Sequence, residues 1–154
     1  MSVNVSRTRV AALCVVALLA GCTSRTTPEA RIAHADQLLA QGDYGAALVE
    51  VKNALQDKPD SAAALLALAR ISIAFGNFDS AEHALNDALA HGADRATAST
   101  LRVELLRLKG AHQELLKQLD AKALDIDAPH ATLARAQALA GLQRCAEAID
   151  GARR

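Results

Sequence analysis

Three cysteines, five histidines and seventeen carboxylates are the side chains of this 154-residue sequence whose types suit nucleophilic, metal or acid–base chemistry. The histidines at 34, 83, 91, 112 and 130 stand apart from one another, and no HExxH pair sets two imidazoles on one helical face beside a glutamate base. Asp125-Ile126-Asp127 lacks the further ligands and the glycine of a calcium loop. No glycine-rich loop is present to cradle a phosphate, and no serine lies in a G-x-S-x-G elbow. The expectation is a protein with no catalytic residue, metal or cofactor, not an enzyme, with no small-molecule substrate. The histidines are expected on the surface, His34 excepted as partly buried packing.

The cysteines are more informative. Arg7 and Arg9 precede Val10-Ala-Ala-Leu-Cys-Val-Val-Ala-Leu-Leu-Ala20, an 11-residue apolar run, which is the charge and length pattern of an export signal. A spanning helix needs about 20 apolar residues, and this run turns polar at Thr23-Ser24-Arg25. Leu19-Ala20-Gly21-Cys22 then resembles a bacterial lipobox, whose small residues admit the peptidase and whose cysteine thiol takes a diacylglyceryl group. That resemblance implies cleavage after residue 21 and three acyl chains on Cys22. At about 0.8 kcal/mol per buried methylene this exceeds what stable anchoring requires. Thr23 stands where proteobacterial lipoproteins retained in the inner membrane usually carry Asp, which implies the periplasmic face of the outer membrane. With Cys14 lost and Cys22 acylated, Cys145 has no intrachain partner and is expected to be a small buried residue.

The elements that must carry any site follow from composition and period. Half of the residues are hydrophobic (51%), largely alanine, and Tyr44, Phe75 and Phe78 are the whole aromatic content. This palette favours closely packed helices over sheet. Removing Arg7 and Arg9 leaves 15 basic against 17 acidic residues, without a basic block or an aromatic platform for bases, which argues against a nucleic-acid partner.

Gly42, Gly76 and Gly110 are spaced by 34 residues, and Tyr44 with Phe78, Ala47 with Ala81 and Leu55 with Leu89 keep the same spacing. A 34-residue period is that of the tetratricopeptide repeat, and the residues resemble that family's pattern when each turn glycine is set at position 15. The units are 28–61, 62–95, 96–128 and 129–154, after a leader at 1–21 and a tether at 22–27. Ala35, Leu38, Ala47, Val51, Ala54 and Pro59 fit the first unit. Leu65, Leu68, Ala69, Ala81, Leu85 and Ala88 fit the second, with Gly92 ending its last helix. The third keeps Val103, Leu106 and Leu119 but has Arg102 at an apolar position and Leu115 at a small one, so its hairpin should splay. The fourth has Ala136, Leu139, Ala148 and Ile149 in register and is cut short in its second helix, as a truncated product would be.

Helices are expected at 28–41, 45–57, 61–75, 78–90, 95–109, 111–123, 129–141 and 144–154. The fold class is all-α, a right-handed superhelix of antiparallel hairpins. The resemblance implies a concave groove lined by the first helix of each unit. At its contact positions stand Asp36, Arg70, Glu104 and Gln137, with Arg107 one turn on. The bland alternative is that these are solvated charges or pairs between adjacent helices.

The run Gly42-Asp-Tyr-Gly-Ala-Ala-Leu-Val-Glu-Val-Lys-Asn-Ala-Leu-Gln-Asp-Lys-Pro-Asp-Ser61 after a lipobox resembles the N-terminal part of the PEP-CTERM system tetratricopeptide lipoproteins. That resemblance implies an envelope-anchored scaffold for protein partners in exopolysaccharide assembly. A pilotin-like or outer-membrane-assembly lipoprotein is the alternative.

Overall fold

The computed structural model describes residues 27–152; the leader, Cys22 and most of the tether lie outside the described residues. Helices start where a short side-chain oxygen meets an orphan amide. Thr27 accepts from the Ala30 N–H at 3.2 Å, Asp43 from Ala46 at 3.0 Å, Ser61 from Ala64 at 3.4 Å, and Asp127 from His130 at 3.1 Å. Asp94 accepts both the amide and the hydroxyl of Thr97, and these bonds hold its carboxyl below the usual aspartate range. Eight α-helices and no strand occur among the described residues. They are α1 (Pro28–Ala40), α2 (Tyr44–Asp57), α3 (Ala62–Ala74), α4 (Phe78–Ala90), α5 (Arg95–Leu108), α6 (His112–Asp120), α7 (Ala128–Gly141) and α8 (Cys145–Ala152).

The reversal inside each hairpin is one motif used four times. Gly42, Gly76 and Gly110 have φ of 78°, 72° and 74°, and Gln143 takes the same left-handed place in the fourth hairpin at 60°. In each, the next residue donates back to a carbonyl of the helix just ended: Asp43 to Leu38 at 2.9 Å, Asn77 to Ser72, Ala111 to Leu106 and Arg144 to Leu139 at 2.8 Å. This is the Schellman closure of a helix C-terminus. A Cβ at any of the three glycines would meet nothing within 4 Å, so backbone conformation and not space selects glycine there.

Packing follows the alanines. Ala35, Ala47, Val51 and Ala54 of the first hairpin are wholly buried beneath Ala64 and Ile71 of α3. One period on, Ala69, Ala81 and Leu85 are wholly buried beneath Ala98, Leu101 and Leu105 of α5. Each first helix also touches the next first helix, α1 with α3, α3 with α5 and α5 with α7, so these four share one face of the row.

The third hairpin departs as its residues require. α6 ends at Asp120, short of the 123 expected. Position 27, filled by the buried alanines Ala54 and Ala88 in the first two units, is Lys122 here, left-handed at φ 50°. A lysine placed there would bury its charge, and the chain leaves the helix instead. It returns with the Asp125 N–H donating to the Ser99 hydroxyl at 2.9 Å. Leu115 is fully buried, and α6 packs more extensively on α7 than on α5, its own partner. Arg102, out of place as an apolar residue, sits at the seam between units and donates to Asn86 Oδ1 at 2.7 Å. Arg135, its equivalent one unit later, meets Asp120 Oδ1 at 2.7 Å.

Three single-residue expectations are corrected. His34 is exposed and faces Glu50 Oε1 at 3.4 Å instead of packing. His112, expected on the surface, is half-buried over Gly141, where a Cβ would collide with its imidazole. Cys145 is exposed at the start of α8. Its equivalents Tyr44, Phe78 and His112 carry rings that reach the end of the following first helix; a thiol is too short, and no such helix follows it among the described residues.

Gln143→Gly should stabilise the chain by about 0.5–1 kcal/mol, because a left-handed residue with a Cβ is strained, whereas Gly76→Ala should cost about 1 kcal/mol. Thermal unfolding of the two variants checks the pair. Ala81→Leu, made where the alanine is 0% exposed, should overpack the α3–α4 contact and cost about 1–3 kcal/mol.

Candidate functional site

The face shared by the first helices holds a cleft of about 520 Å³, bounded by Leu39, Tyr44, Arg70, Ile73, Phe78, Leu101, Glu104 and Leu108. The turn motif explains its position. Tyr44 and Phe78 each stand two residues after a turn glycine, so their rings lean from the start of a second helix toward the end of the next first helix. Tyr44 meets Phe75 there edge to face, with ring centroids 6.2 Å apart at 66°. All three aromatic residues of the chain therefore gather in or beside one cleft. Tyr44 at 37%, Phe75 at 52% and neighbouring Leu108 at 45% stay exposed, while Phe78 is half-buried against the core of α3, α4 and α5. Burying such rings is a main source of affinity at protein interfaces.

Of the residues expected at groove contacts, Arg70 and Glu104 both line the cleft. Asp36 is brought to Arg70, with Nη1 to Oδ1 at 3.4 Å, but both partners are about half exposed. Their contact is the pair between adjacent helices that the bland reading anticipates. Glu104 makes no ion pair among the described residues. Arg107 lies outside the cleft in the last turn of α5, where its charge complements the helix dipole. Gln137 lines a separate hollow between α5 and α7 with Val103 and Leu133. One rim is fastened by Lys109, whose ammonium bridges Asp79 at 3.3 Å and Glu82 at 3.4 Å and whose pKa those hydrogen bonds raise.

Sequence reasoning counted the aromatics and matched Tyr44 with Phe78 as repeat positions, but did not see them as a site. The available signal was their placement: all three flank the turn glycines Gly42 and Gly76. The cleft lining combines apolar side chains with Arg70 and Glu104, which suits it to hold a ligand by shape, apolar contact and charge. Among the described residues no group of three or more His, Cys, Asp or Glu is placed to hold a metal ion, and no helix is long and apolar enough to cross a membrane.

A row of helical hairpins repeating every 34 residues, with a cleft on the face of the first helices, is consistent with a tetratricopeptide-type α-solenoid. Residues 38–105, from the end of α1 through most of α5, match the family profile described as "Tetratricopeptide repeat". The match supports a tetratricopeptide-repeat protein, and such repeats generally mediate protein–protein interactions on a scaffold that is typically non-enzymatic. No curated protein and no solved structure matches the chain significantly.

The exposure of Asp36 and Arg70 implies a small contribution to folding. A double-mutant cycle with Asp36→Ala and Arg70→Ala should give a coupling below about 1 kcal/mol that shrinks further as salt is added.

Proposed function

We propose that this chain is a lipid-anchored adaptor. Acylated Cys22 holds it on the periplasmic face of a bacterial membrane, the outer membrane in preference to the inner. The cleft between α1 and α5 captures a peptide segment of a protein partner engaged in envelope or exopolysaccharide assembly of the PEP-CTERM and exosortase type. The observation that carries the capture role is the gathering of Tyr44, Phe75 and Phe78 at an open cleft whose polar rim is Arg70 and Glu104. Exposed aromatic rings cost a free protein solvation and become favourable when a partner covers them. In this reading the aromatics supply affinity and the two charges supply orientation. The anchor rests on Leu19-Ala20-Gly21-Cys22 following a basic and then apolar leader. The assembly system rests on the Gly42–Ser61 run.

Two measurements test it. In the bacterial host, labelled fatty acid should enter the protein and be lost in Cys22→Ser, which should also move it from the membrane fraction to the soluble fraction. Unlabelled, membrane-free wild type would end the anchoring claim. Cross-linking capture should recover products encoded beside exosortase or glycosyltransferase genes. The variant Tyr44→Ala/Phe75→Ala should lose them at least tenfold while keeping the helical circular dichroism of the wild type. Undiminished capture by that variant would rule the cleft out.

A further inference from the structure

Position 9 of the first helices carries Asp36, Arg70, Glu104 and Gln137, on α1, α3, α5 and α7, which touch in that order along the shared face. The charges alternate until the neutral Gln137 ends the series. Arg70 turns to Asp36, with Nη1 to Oδ1 at 3.4 Å. Glu104 is left exposed in the cleft, with no ion pair among the described residues. The cation on the rim, Lys109, is held by Asp79 at 3.3 Å and Glu82 at 3.4 Å. Arg107, one turn beyond Glu104, lies outside the lining. Around the cleft, four carboxylates therefore meet two cations that are already engaged, and counting Arg107 as a third leaves the balance negative.

Apart from Arg70, the rest of the lining is apolar, chiefly Leu39, Ile73, Leu101 and Leu108 with the rings of Tyr44 and Phe78. A Lys or Arg side chain suits such a place, because its methylene stem lies on apolar surface while its head reaches a carboxylate. A cation near an aromatic face gains further attraction. An acidic side chain meets the opposite situation. It would have to share Arg70 with Asp36, or Lys109 with two carboxylates, and it would stand in the same cleft as Glu104, where like charges repel.

We propose that the cleft selects a peptide segment carrying a Lys or Arg between large apolar residues, with the cationic head at Glu104 and the apolar neighbours on the rings and leucines. This selectivity rests on the capture role given above to the same cleft. Glu104 sets the sign of charge accepted, and the apolar lining supplies contact area. The bound cation continues the alternation of Asp36, Arg70 and Glu104 where Gln137 does not.

The probes are fluorescein-labelled peptides Ser-Leu-X-Leu-Phe-Ser with amidated C-termini, X being Lys, Gln or Glu, titrated with the full chain at low salt and followed by anisotropy. The Lys peptide is expected to bind about fivefold more tightly than the uncharged Gln peptide and at least about tenfold more tightly than the Glu peptide. Added salt should narrow both gaps. Glu104→Gln should bring the Lys and Gln peptides within about twofold of each other, and Glu104→Lys should place the Glu peptide first. Equal affinities, a preference for the Glu peptide, an order that Glu104→Gln leaves unchanged, or no binding by any of the three would overturn the proposal. So would sedimentation showing that the chain alone self-associates through this cleft and that Tyr44→Ala abolishes the association. In each of the peptide failures, partner capture that still depends on Tyr44 and Phe75 would leave the wider role standing, so the two fail separately.

Discussion

Close approach of helices through alanine is the constraint on which the rest of this structure depends. At positions 8, 20 and 27 the first two hairpins carry Ala35, Ala47 and Ala54, then Ala69, Ala81 and Ala88, all wholly buried. With no side chain beyond Cβ at the crossing, the two helices of a hairpin lie near enough to share one surface, and that surface forms the floor for the next helix. Where the set is broken the architecture changes. Val103, Leu115 and Lys122 occupy the same positions in the third hairpin, and there α6 is short, stands off from α5 and leans on α7.

The same constraint decides where the aromatic residues go. Seams built from alanine and leucine leave the rings near the hairpin turns, where Tyr44 and Phe75 are exposed and Phe78 packs half-buried against the α3–α5 core. The left-handed glycines hold these turns in a fixed geometry, so the rings come to rest in one cleft and not along the row.

Much of the fold was legible in the sequence because it is written in spacing. The eight helices of the described residues, their order and the four reversals follow from the 34-residue recurrence that sets Gly42, Gly76 and Gly110 at equivalent turns. The splayed third hairpin was legible from Leu115. What escaped depends on contacts between units, which no local pattern encodes. Arg102 reads as a misplaced charge until Asn86 is seen across the seam. Cys145 reads as buried until its exposed place at the start of α8 is seen, and His112 reads as surface until Gly141 makes room for its ring. Of the groove, Arg70 and Glu104 were legible from register alone. The aromatic cluster was not, because Phe75 lies outside the repeat's matched positions and meets Tyr44 only after two helices have packed.

The claim that alanine contacts set the strength of each hairpin is tested most directly by native-state amide hydrogen exchange, read helix by helix. In a row of semi-independent units, stability varies along the chain and neighbouring units open separately. The account predicts the slowest exchange in α3 and α4, with α5 following them, and markedly faster exchange in α6 and α8. Equal protection of α6 and α4, with every helix opening in one common step, would contradict it.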